Sequence, residues 1–163
     1  MESDTSRNQI WREIIGGLNK SHLEYVLVGG AALVVHGLPR STLDMDIYIP
    51  AKEEVLVKLF ELADGLGLKS EQRSILDLRN TPRYYVDQWI CFSYGGRDVL
   101  DVFLAPEKAF NNLYKNSVRK GNKRLAVRVA SLADVSAMKK ISGRPVDFAD
   151  LKLIEESKKY RKN

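Results

Sequence analysis

The segments Val28-Gly29-Gly30-Ala31-Ala32 and Arg40-Ser41-Thr42-Leu43-Asp44-Met45-Asp46 decide how this chain folds. Gly29 and Gly30 lie between a β-rich run that ends at Val28 and a short apolar run typical of a helix. Glycine has no Cβ, so a ligand can approach its backbone closely, and free N–H groups at a helix start attract phosphate. We therefore predict a phosphate-binding turn at Gly29 and Gly30.

The second segment carries two carboxylates in a strand pattern. Residues 43–49 alternate apolar and polar side chains and end at Pro50. Asp44 and Asp46 are therefore predicted to face the same side of a strand, about 6.5–7 Å apart. Two carboxylates on one face repel each other unless a cation lies between them. Oxygen ligands of this kind suit Mg²⁺, which takes one or two carboxylates and completes its shell with water and phosphate oxygens.

A third carboxylate, Asp101, stands in the otherwise apolar strand pattern of residues 99–104. If this strand lies beside the strand of Asp44 and Asp46, the three carboxylates are able to hold two metal ions about 3.5–4 Å apart. Such a site beside a phosphate-binding turn is what transfer from a nucleoside triphosphate requires.

Hydrophobic periodicity and turn residues predict the element order α-β-α-β-α-β-β-α-β-α-α. Five of the six helices are assigned bounds, 8–18, 31–36, 52–66, 131–141 and 146–160, and the sixth lies between the last two strands. The strands are 24–28, 43–49, 84–94, 99–104 and 124–129. Gly95-Gly96 predicts a hairpin between two of the strands. The order predicts an α/β (α+β) fold with a mixed, mostly antiparallel β-sheet and helices packed against it. We expect one domain over residues 1–163, with its core at about 20–130 and a C-terminal helical pair at about 131–160.

The composition excludes several classes of protein. Of the 163 residues, 44% are hydrophobic and 29% are charged, which is ordinary for a folded domain and excludes a disordered chain. A single cysteine forms no internal disulfide and no Cys-rich zinc module, and two histidines are too few for a His-built metal site. No apolar run reaches the roughly 18–20 residues of a membrane span, and the N-terminus does not resemble a signal peptide. We therefore predict a cytoplasmic protein with no membrane contact.

Charge is unevenly distributed along the chain. Residues 1–107 carry 11 basic and 16 acidic side chains, whereas residues 108–163 carry 15 basic and 5 acidic ones. A cluster of cations surrounds Gly121, namely Lys115, Arg119, Lys120, Lys123, Arg124 and Arg128. Three interpretations are open: a solvated face, a contact with tRNA or another RNA through its phosphates, or help in holding a triphosphate.

The glycine pair, the pattern Arg40-x-Thr42-x-Asp44-x-Asp46 and the later strand aspartate resemble the DNA polymerase β-type nucleotidyltransferase superfamily. The likeness is to its minimal bacterial and archaeal members, which include the AbiEii- and MenT-like toxins and the small antibiotic nucleotidyltransferases. A second segment agrees, because Lys139 and the run Arg144-Pro145-Val146-Asp147-Phe148-Ala149-Asp150-Leu151 are similar to the family's Lys…Arg-x-x-Asp-x-x-Asp-Leu pattern. Many members have serine where this chain has Gly30, a difference that concerns the subfamily more than the activity.

The resemblance implies a nucleotidyltransferase-like fold and a metal-dependent enzyme that uses Mg²⁺, or Mn²⁺ in its place. Such an enzyme moves a nucleoside monophosphate from a nucleoside triphosphate such as ATP to a hydroxyl-type acceptor and releases pyrophosphate. A toxin–antitoxin role or antibiotic modification is implied, with tRNA, protein or a small molecule as acceptor. The implied catalytic and metal-binding residues are Asp44, Asp46 and Asp101, and the implied nucleotide-site residues are Gly29, Gly30, Arg40, Thr42, Lys139 and Asp147.

Two other functions fit parts of the sequence. Asp-x-Asp also binds metal in glycosyltransferases, but those domains are longer and lack a Gly-Gly turn at this spacing. A nucleic-acid-binding or antitoxin-like module on a transferase fold would need no catalysis, and the intact set of three aspartates argues against it. Structural roles are open as well, as ion pairs between Asp44 and Arg40, between Asp101 and a lysine, and between Arg144 and Asp147. We interpret Trp89 as a core or interface residue.

Overall fold

The computed structural model describes residues 2–160, and within that range the chain forms six strands and six α-helices. The strands are β1 (Val26–Val28), β2 (Met45–Pro50), β3 (Trp89–Tyr94), β4 (Arg97–Ala105), β5 (Val118–Gly121) and β6 (Ala126–Val129). The α-helices are α1 (Glu2–Lys20), α2 (Gly29–Val35), α3 (Glu53–Gly65), α4 (Glu107–Asn116), α5 (Leu132–Ser142) and α6 (Pro145–Tyr160), with 3₁₀ turns at Arg73–Leu78 and Pro82–Tyr84. The expected domain of residues 1–163 extends past the described residues at both ends.

All six strands belong to one sheet in the order β3-β4-β2-β1-β6-β5. The pairs β1–β2, β3–β4 and β5–β6 are antiparallel, whereas β1–β6 and β2–β4 are parallel. The sheet is therefore mixed and mostly antiparallel, as predicted. The parallel pair β2–β4 confirms that the strand of Asp101 lies beside the strand of Asp46.

The helices that pack on the sheet are amphipathic, and each buries one apolar stripe. In α1 this stripe is Ile10, Ile14 and Leu18, at the spacing of one helix face. Phe60 of α3 packs against Phe92 of β3 with ring centroids 5.3 Å apart. Burial of each such side chain contributes about 1.5–3 kcal/mol, so these stripes fix the helices on the sheet.

Helix α5 lies within one residue of the predicted bounds 131–141, and local signals define both of its ends. Ser131 caps it, because its Oγ accepts a hydrogen bond of 3.1 Å from the backbone N–H of Asp134. Gly143 follows the last helical residue in the left-handed conformation. Pro145 then opens α6, where a missing N–H costs nothing. The C-terminal helical pair is thus defined by local signals on both sides of a two-residue connection.

Two parts of the predicted secondary structure are wrong. Strand β3 begins at Trp89, whereas residues 84–94 had a strand pattern; Pro82 starts a 3₁₀ turn and Asp87 adopts φ +62°, and both interrupt an extended chain. Strand β5 was not predicted, because its run Val118-Arg119-Lys120-Gly121 has one apolar residue and no alternation. It is an edge strand, paired on one side by β6, and edge strands often carry charge. No helix among the described residues is long and apolar enough to cross a membrane.

Candidate active site

The site begins at the turn between β1 and α2, where Gly29 lies against a carboxylate. Gly29 has φ +65°, and a Cβ built on it would lie 2.0 Å from Oδ2 of Asp46. A Cβ on Gly30 would lie 3.0 Å from Oγ1 of Thr42. Both glycines therefore leave space for side chains at and just before the start of β2. This is a structural reason for the Gly29-Gly30 pair that the sequence alone did not reveal.

Strand register places two of the three predicted aspartates side by side. Val28 of β1 pairs with Asp46 of β2, and Asp46 pairs with Asp101 of the parallel strand β4. Cys91 of β3 continues the same row. Asp44 lies one residue before β2 rather than within it, although it belongs to the same cleft. The row brings together carboxylates that are 55 residues apart in the sequence.

The electrostatics of this row are unfavourable for negative charge. Burial, together with the charges of Asp44 and Asp101, raises the pKa of Asp46 from 3.8 to about 7. Burial also raises the pKa of Asp101, and Oδ1 of Asp101 is a buried atom without a hydrogen-bond partner in the structure. The neighbouring thiol of Cys91 has its pKa raised to about 12, first by burial and then by Asp101. An unpartnered carboxylate oxygen in such a place is costly unless a ligand completes it.

A cleft of about 590 Å³ opens over the row. The nine predicted site residues all contribute to its lining, namely Gly29, Gly30, Arg40, Thr42, Asp44, Asp46, Asp101, Lys139 and Asp147. The volume is typical of a small-molecule site. The structure thus brings the nine residues together, while the role given to each of them stays a prediction.

The loop before β2 is held by its own side chains. Thr42 Oγ1 donates to the backbone oxygen of Asp44 at 3.1 Å and lies 3.4 Å from Oδ1 of Asp44. Arg40 does not pair with Asp44, which was one structural alternative; its Nε donates to Asp150 at 2.8 Å. Arg40 therefore ties the aspartate-bearing loop to helix α6.

Lys139 lies at the centre of a buried ion cluster. Its Nζ is 2.6 Å from Asp150 and 3.1 Å from Asp147, and its side chain is 7% exposed. Both carboxylates are almost fully buried. The ammonium group thus faces the cleft but already has two carboxylate partners, so the predicted contact of Lys139 with a triphosphate would compete with these ion pairs. Asp150, to which the sequence assigned no role, proves to be the residue shared by Lys139 and Arg40.

Arg144 provides an accessible cation at the rim of the cleft. Its Nε is 3.0 Å from Oδ2 of Asp147, which confirms the ion pair at the start of α6 that the sequence left open. Burial alone would raise the pKa of Asp147, but hydrogen bonds from Arg144 and Lys139 hold it well below its usual value. The side chain of Arg144 is 68% exposed while that of Asp147 is fully buried, so the guanidinium retains donors that face solvent.

An aromatic row runs parallel to the carboxylate row, two residues further along the strands. Tyr48 pairs with Phe103, and Phe103 pairs with Trp89. The rings of Tyr48 and Phe103 stack with centroids 5.2 Å apart, and all three residues line the cleft. Trp89 is 45% exposed, so the core alternative of its interpretation is wrong, and the interface alternative stays a prediction. The signal was present in the sequence, because Tyr48 and Phe103 each follow a cleft aspartate by one strand period.

The family of the chain follows from a comparison with known protein families. Residues 11–158 match the family DUF6036, described as "Nucleotidyltransferase of unknown function". The chain belongs to this nucleotidyltransferase family. Membership makes it an enzyme that transfers a nucleoside monophosphate and takes a nucleoside triphosphate as substrate, and it argues against the glycosyltransferase alternative. Among curated proteins, no sequence matches the chain.

Solved structures of low sequence identity share the fold of this nucleotidyltransferase. One is the Thermotoga maritima protein TM1012, a candidate nucleotidyltransferase with 13% identity and a TM-score of 0.59, over 97% of this chain and 92% of that one. Another is ANT(2")-Ia, solved in complex with adenylyl-2"-tobramycin, with 15% identity and a TM-score of 0.62, over 94% of this chain and 89% of that one. These similarities confirm the predicted fold class.

Nucleotidyltransferases generally use divalent metals, so the cleft of this enzyme can be tested for its fit to one. Among the described side chains, no three His, Cys, Asp or Glu residues are already spaced to hold a metal ion. The unpartnered Oδ1 of Asp101 and the raised pKa of Asp46 nonetheless show carboxylates that lack a positive partner. This fits a cation that takes one or two protein carboxylates and shares its other positions with phosphates and water. The assignment of all three aspartates as ligands stays a prediction.

Proposed function

We propose that this nucleotidyltransferase moves a nucleoside monophosphate from a nucleoside triphosphate to a hydroxyl group of its acceptor, in a Mg²⁺-dependent reaction that releases pyrophosphate. The observation that carries the proposal is the pairing of Asp46 with Asp101 across β2 and β4, beside the Gly29 turn and over one cleft. A magnesium ion, or manganese in its place, would be held by Asp46 and Asp101 with Asp44 and would offset the charge of the triphosphate.

The phosphates are assigned to the side of the cleft where the turn and the cations lie. Val28, which precedes α2, gives no side-chain cap to the helix, so the first backbone N–H groups of α2 are not capped from that residue. Arg144 extends donors toward the same cleft. Together they offer hydrogen bonds to phosphate oxygens within the cleft.

The acceptor is assigned to the side of the cleft bounded by Asp101 and the aromatic row. With its pKa raised by burial, Asp101 is suited to accept a proton from an attacking hydroxyl. The stacked rings of Tyr48 and Phe103 and the exposed Trp89 offer a flat apolar surface to the acceptor or to the base of the nucleotide. In balanced form, the acceptor oxygen bonds to the α-phosphorus, the bond from the α-phosphorus to the pyrophosphate oxygen breaks, and the hydroxyl proton leaves through Asp101.

The test uses triphosphates labelled at one phosphorus. The protein is incubated with Mg²⁺ and each nucleoside triphosphate carrying ³²P at either the α or the γ position. The acceptors are RNA, an aminoglycoside, and the protein itself. We expect α-label to pass to an acceptor and γ-label to leave as pyrophosphate. Transfer to the aminoglycoside would extend the likeness to ANT(2")-Ia to an antibiotic-modifying role, whereas transfer to tRNA would favour the toxin-type role.

Matched variants separate site chemistry from general damage. Asp46→Asn removes a cleft carboxylate, and Asp77→Asn makes the same change at an exposed position outside the cleft. The proposal requires α-label transfer by the wild type and the Asp77→Asn variant and its loss in Asp46→Asn. Transfer of γ-label, or full activity of the Asp46→Asn variant, would overturn it.

A further inference from the structure

A second groove, of about 550 Å³, lies at the other end of β1 from the cleft. Tyr25, which directly precedes β1, lines this groove, whereas Gly29, which directly follows β1, lines the cleft. The groove is bounded by the end of α1, by Tyr114 of α4 and by the β5–β6 hairpin. We call it the hairpin groove; its cationic lining residues are Arg119, Lys123, Arg124 and Arg128.

The cations of the hairpin groove lie in a region of the chain that carries only positive charge. Residues 108–131 contain seven Lys or Arg and no Asp or Glu. In the part of the chain that the structure describes, the four lining cations form no ion pair within 4.0 Å, although Glu24 also lines the groove. Cations without an ion pair also lie elsewhere among the described residues, for example the exposed Arg83 and Arg97, so the groove differs in gathering four of them around one cavity.

Two of these cations are placed where they repel each other. Arg119 of β5 and Arg128 of β6 are direct cross-strand partners, and directly opposite residues of an antiparallel pair project from the same face. Like charges in this position destabilise a sheet. Among the described residues, no carboxylate lies within 4.0 Å of either guanidinium, and an anion bound over the hairpin would offset the repulsion.

Aromatic side chains lie among the cations of the groove. The guanidinium of Arg128 is stacked over the ring of Tyr114, 4.5 Å from its centroid. The hydroxyl of Tyr25 lies 3.4 Å from the backbone N–H of Arg128. A guanidinium plane held on an aromatic ring is a surface on which nucleic-acid bases stack, whereas a carboxylate would use only the N–H edge of the guanidinium.

We propose that the hairpin groove binds the phosphodiester backbone of a nucleic acid. A repeating anion matches four cations that have no carboxylate partners, and the Arg128–Tyr114 stack offers a neighbouring base a contact that an acidic protein segment would not use. The site is separate from the catalytic cleft, so the proposal does not rest on the transfer reaction. It selects nucleic-acid contact from the interpretations that the cation cluster left open.

Binding of a fluorescein-labelled 20-nucleotide single-stranded RNA to the full chain, followed by fluorescence anisotropy in EDTA, tests this proposal. A 20-base-pair DNA is tested in parallel, because RNA and DNA both carry a phosphodiester backbone. The nucleic acid that binds more tightly identifies the preferred source of that backbone. We expect Arg119→Gln/Arg128→Gln to weaken binding about tenfold and to reduce the slope of log K against log salt by about 1.4 for RNA. The double variant loses the repulsion between the facing charges but also the Arg128–Tyr114 contact, so its melting temperature should stay within a few degrees of that of the wild type.

The controls decide between the groove and charge in general. Arg83→Gln/Arg97→Gln removes the same charge from two exposed positions outside the groove and should change affinity less than twofold. Asp46→Asn should leave RNA binding unchanged, because that residue lies in the cleft. An equal loss of affinity in both double arginine variants would overturn the proposal. If an oligoglutamate of equal charge displaces the labelled RNA as effectively as unlabelled RNA does, the proposal is also overturned, in favour of an acidic protein partner.

Discussion

Two pairs of aspartates at the same cleft have opposite surroundings. Asp147 and Asp150 are 0% and 1% exposed, and each contacts Lys139 and one arginine. Asp46 and Asp101 are less buried, yet they face each other across two strands, and Oδ1 of Asp101 has no partner. The pKa of Asp147 is lowered, whereas the pKa values of Asp46 and Asp101 are raised.

The difference separates carboxylates that hold the fold from carboxylates available to a ligand. A buried charge is normally retained only with partners that offset its desolvation. The ion cluster around Lys139 meets that condition within the chain and ties the loop of Arg40 to α5 and α6. The Asp46–Asp101 pair does not meet it within the described residues, which is the physical ground for assigning a cation and a triphosphate to it.

The largest expected effect is on catalysis by Asp46 and Asp101, which have no cationic partner among the described residues. Asp46→Asn should lower the rate of α-label transfer by roughly 10⁴-fold, equal to about 5 kcal/mol of barrier, because it removes charge that the transition state requires. The rate is measured with saturating Mg²⁺ and triphosphate, with Asp77→Asn as the matched variant. A loss of less than tenfold would show that Asp46 does not have the role assigned to it.

The partnered pair should instead affect folding. Asp150→Asn leaves Arg40 and Lys139 short of a carboxylate and should lower the free energy of unfolding by about 3 kcal/mol, measured by urea denaturation. Asp64→Asn breaks the exposed Arg73–Asp64 pair, whose side chains are 55% and 52% exposed, and should change stability little. Similar losses in both variants would erase the distinction between the two kinds of carboxylate.

The glycine turn positions Asp46 without an ion pair, and this too can be tested. Gly29→Ala should lower stability by about 1–3 kcal/mol and reduce activity, because its Cβ would lie 2.0 Å from Oδ2 of Asp46 and its φ is +65°. Gly16→Ala places a Cβ in open space within α1 and should raise stability by about 0.4–1 kcal/mol. Thermal unfolding of both variants measures the contrast; a Gly29→Ala enzyme as stable and active as the wild type would contradict the close approach.

The two aspartate pairs predict opposite pH dependence of stability in EDTA. The folded state binds the Asp46 proton more tightly than the unfolded chain does, so this stabilisation is complete below about pH 4 and is lost as the pH rises through about 7. For Asp147 the folded pKa is lowered, so its contribution is present above the unfolded value of 3.8 and is lost as the pH falls below it.

Thermal denaturation across pH 3–9 separates the two effects: an alkaline limb, in which stability falls as the pH rises through about 7, and an acid limb, in which stability falls as the pH drops below about 3.8. Asp46→Asn should remove the alkaline limb, raise the free energy of unfolding at pH 8 by about 1–3 kcal/mol after allowance for screening, and keep the acid limb. A variant that is less stable than the wild type at pH 8 would show that Asp46 has a partner within the fold.

Much of the fold follows from local signals in the sequence. The helices α1 and α3, the start of α5 near Ser131 and the Gly95-Gly96 hairpin were all predicted, because each depends on residues close in sequence. Strand β5 was missed because pairing with β6, not its own pattern, makes it extended. The strand pattern of residues 84–88 was misleading because Pro82 and Asp87 turn the chain there.

For the site, the sequence identified nine residues of the cleft but not their partners. The two glycines and three aspartates were found through local pattern and spacing, and Arg40, Thr42, Lys139 and Asp147 through the family resemblance. The register of β2 and β4 brings Asp46 and Asp101 together. The contact between Arg40 and Asp150 spans 110 residues, and no local pattern reports it. The aromatic row was missed because a tryptophan in a strand pattern is typical of a core or an interface. Only the sheet register shows that Trp89 lies on the cleft side.

The most direct test of the central claim is a thermal shift with Mg²⁺ and a non-hydrolysable triphosphate analogue. A ligand that binds only the folded state at 100 times its Kd stabilises by about 2.7 kcal/mol, which is a rise of roughly 5–10 °C for a chain of this size. We predict this rise for the wild type and for Asp150→Asn, and none for Asp46→Asn. An equal rise in Asp46→Asn would contradict the assignment of the metal and triphosphate to the Asp46–Asp101 pair.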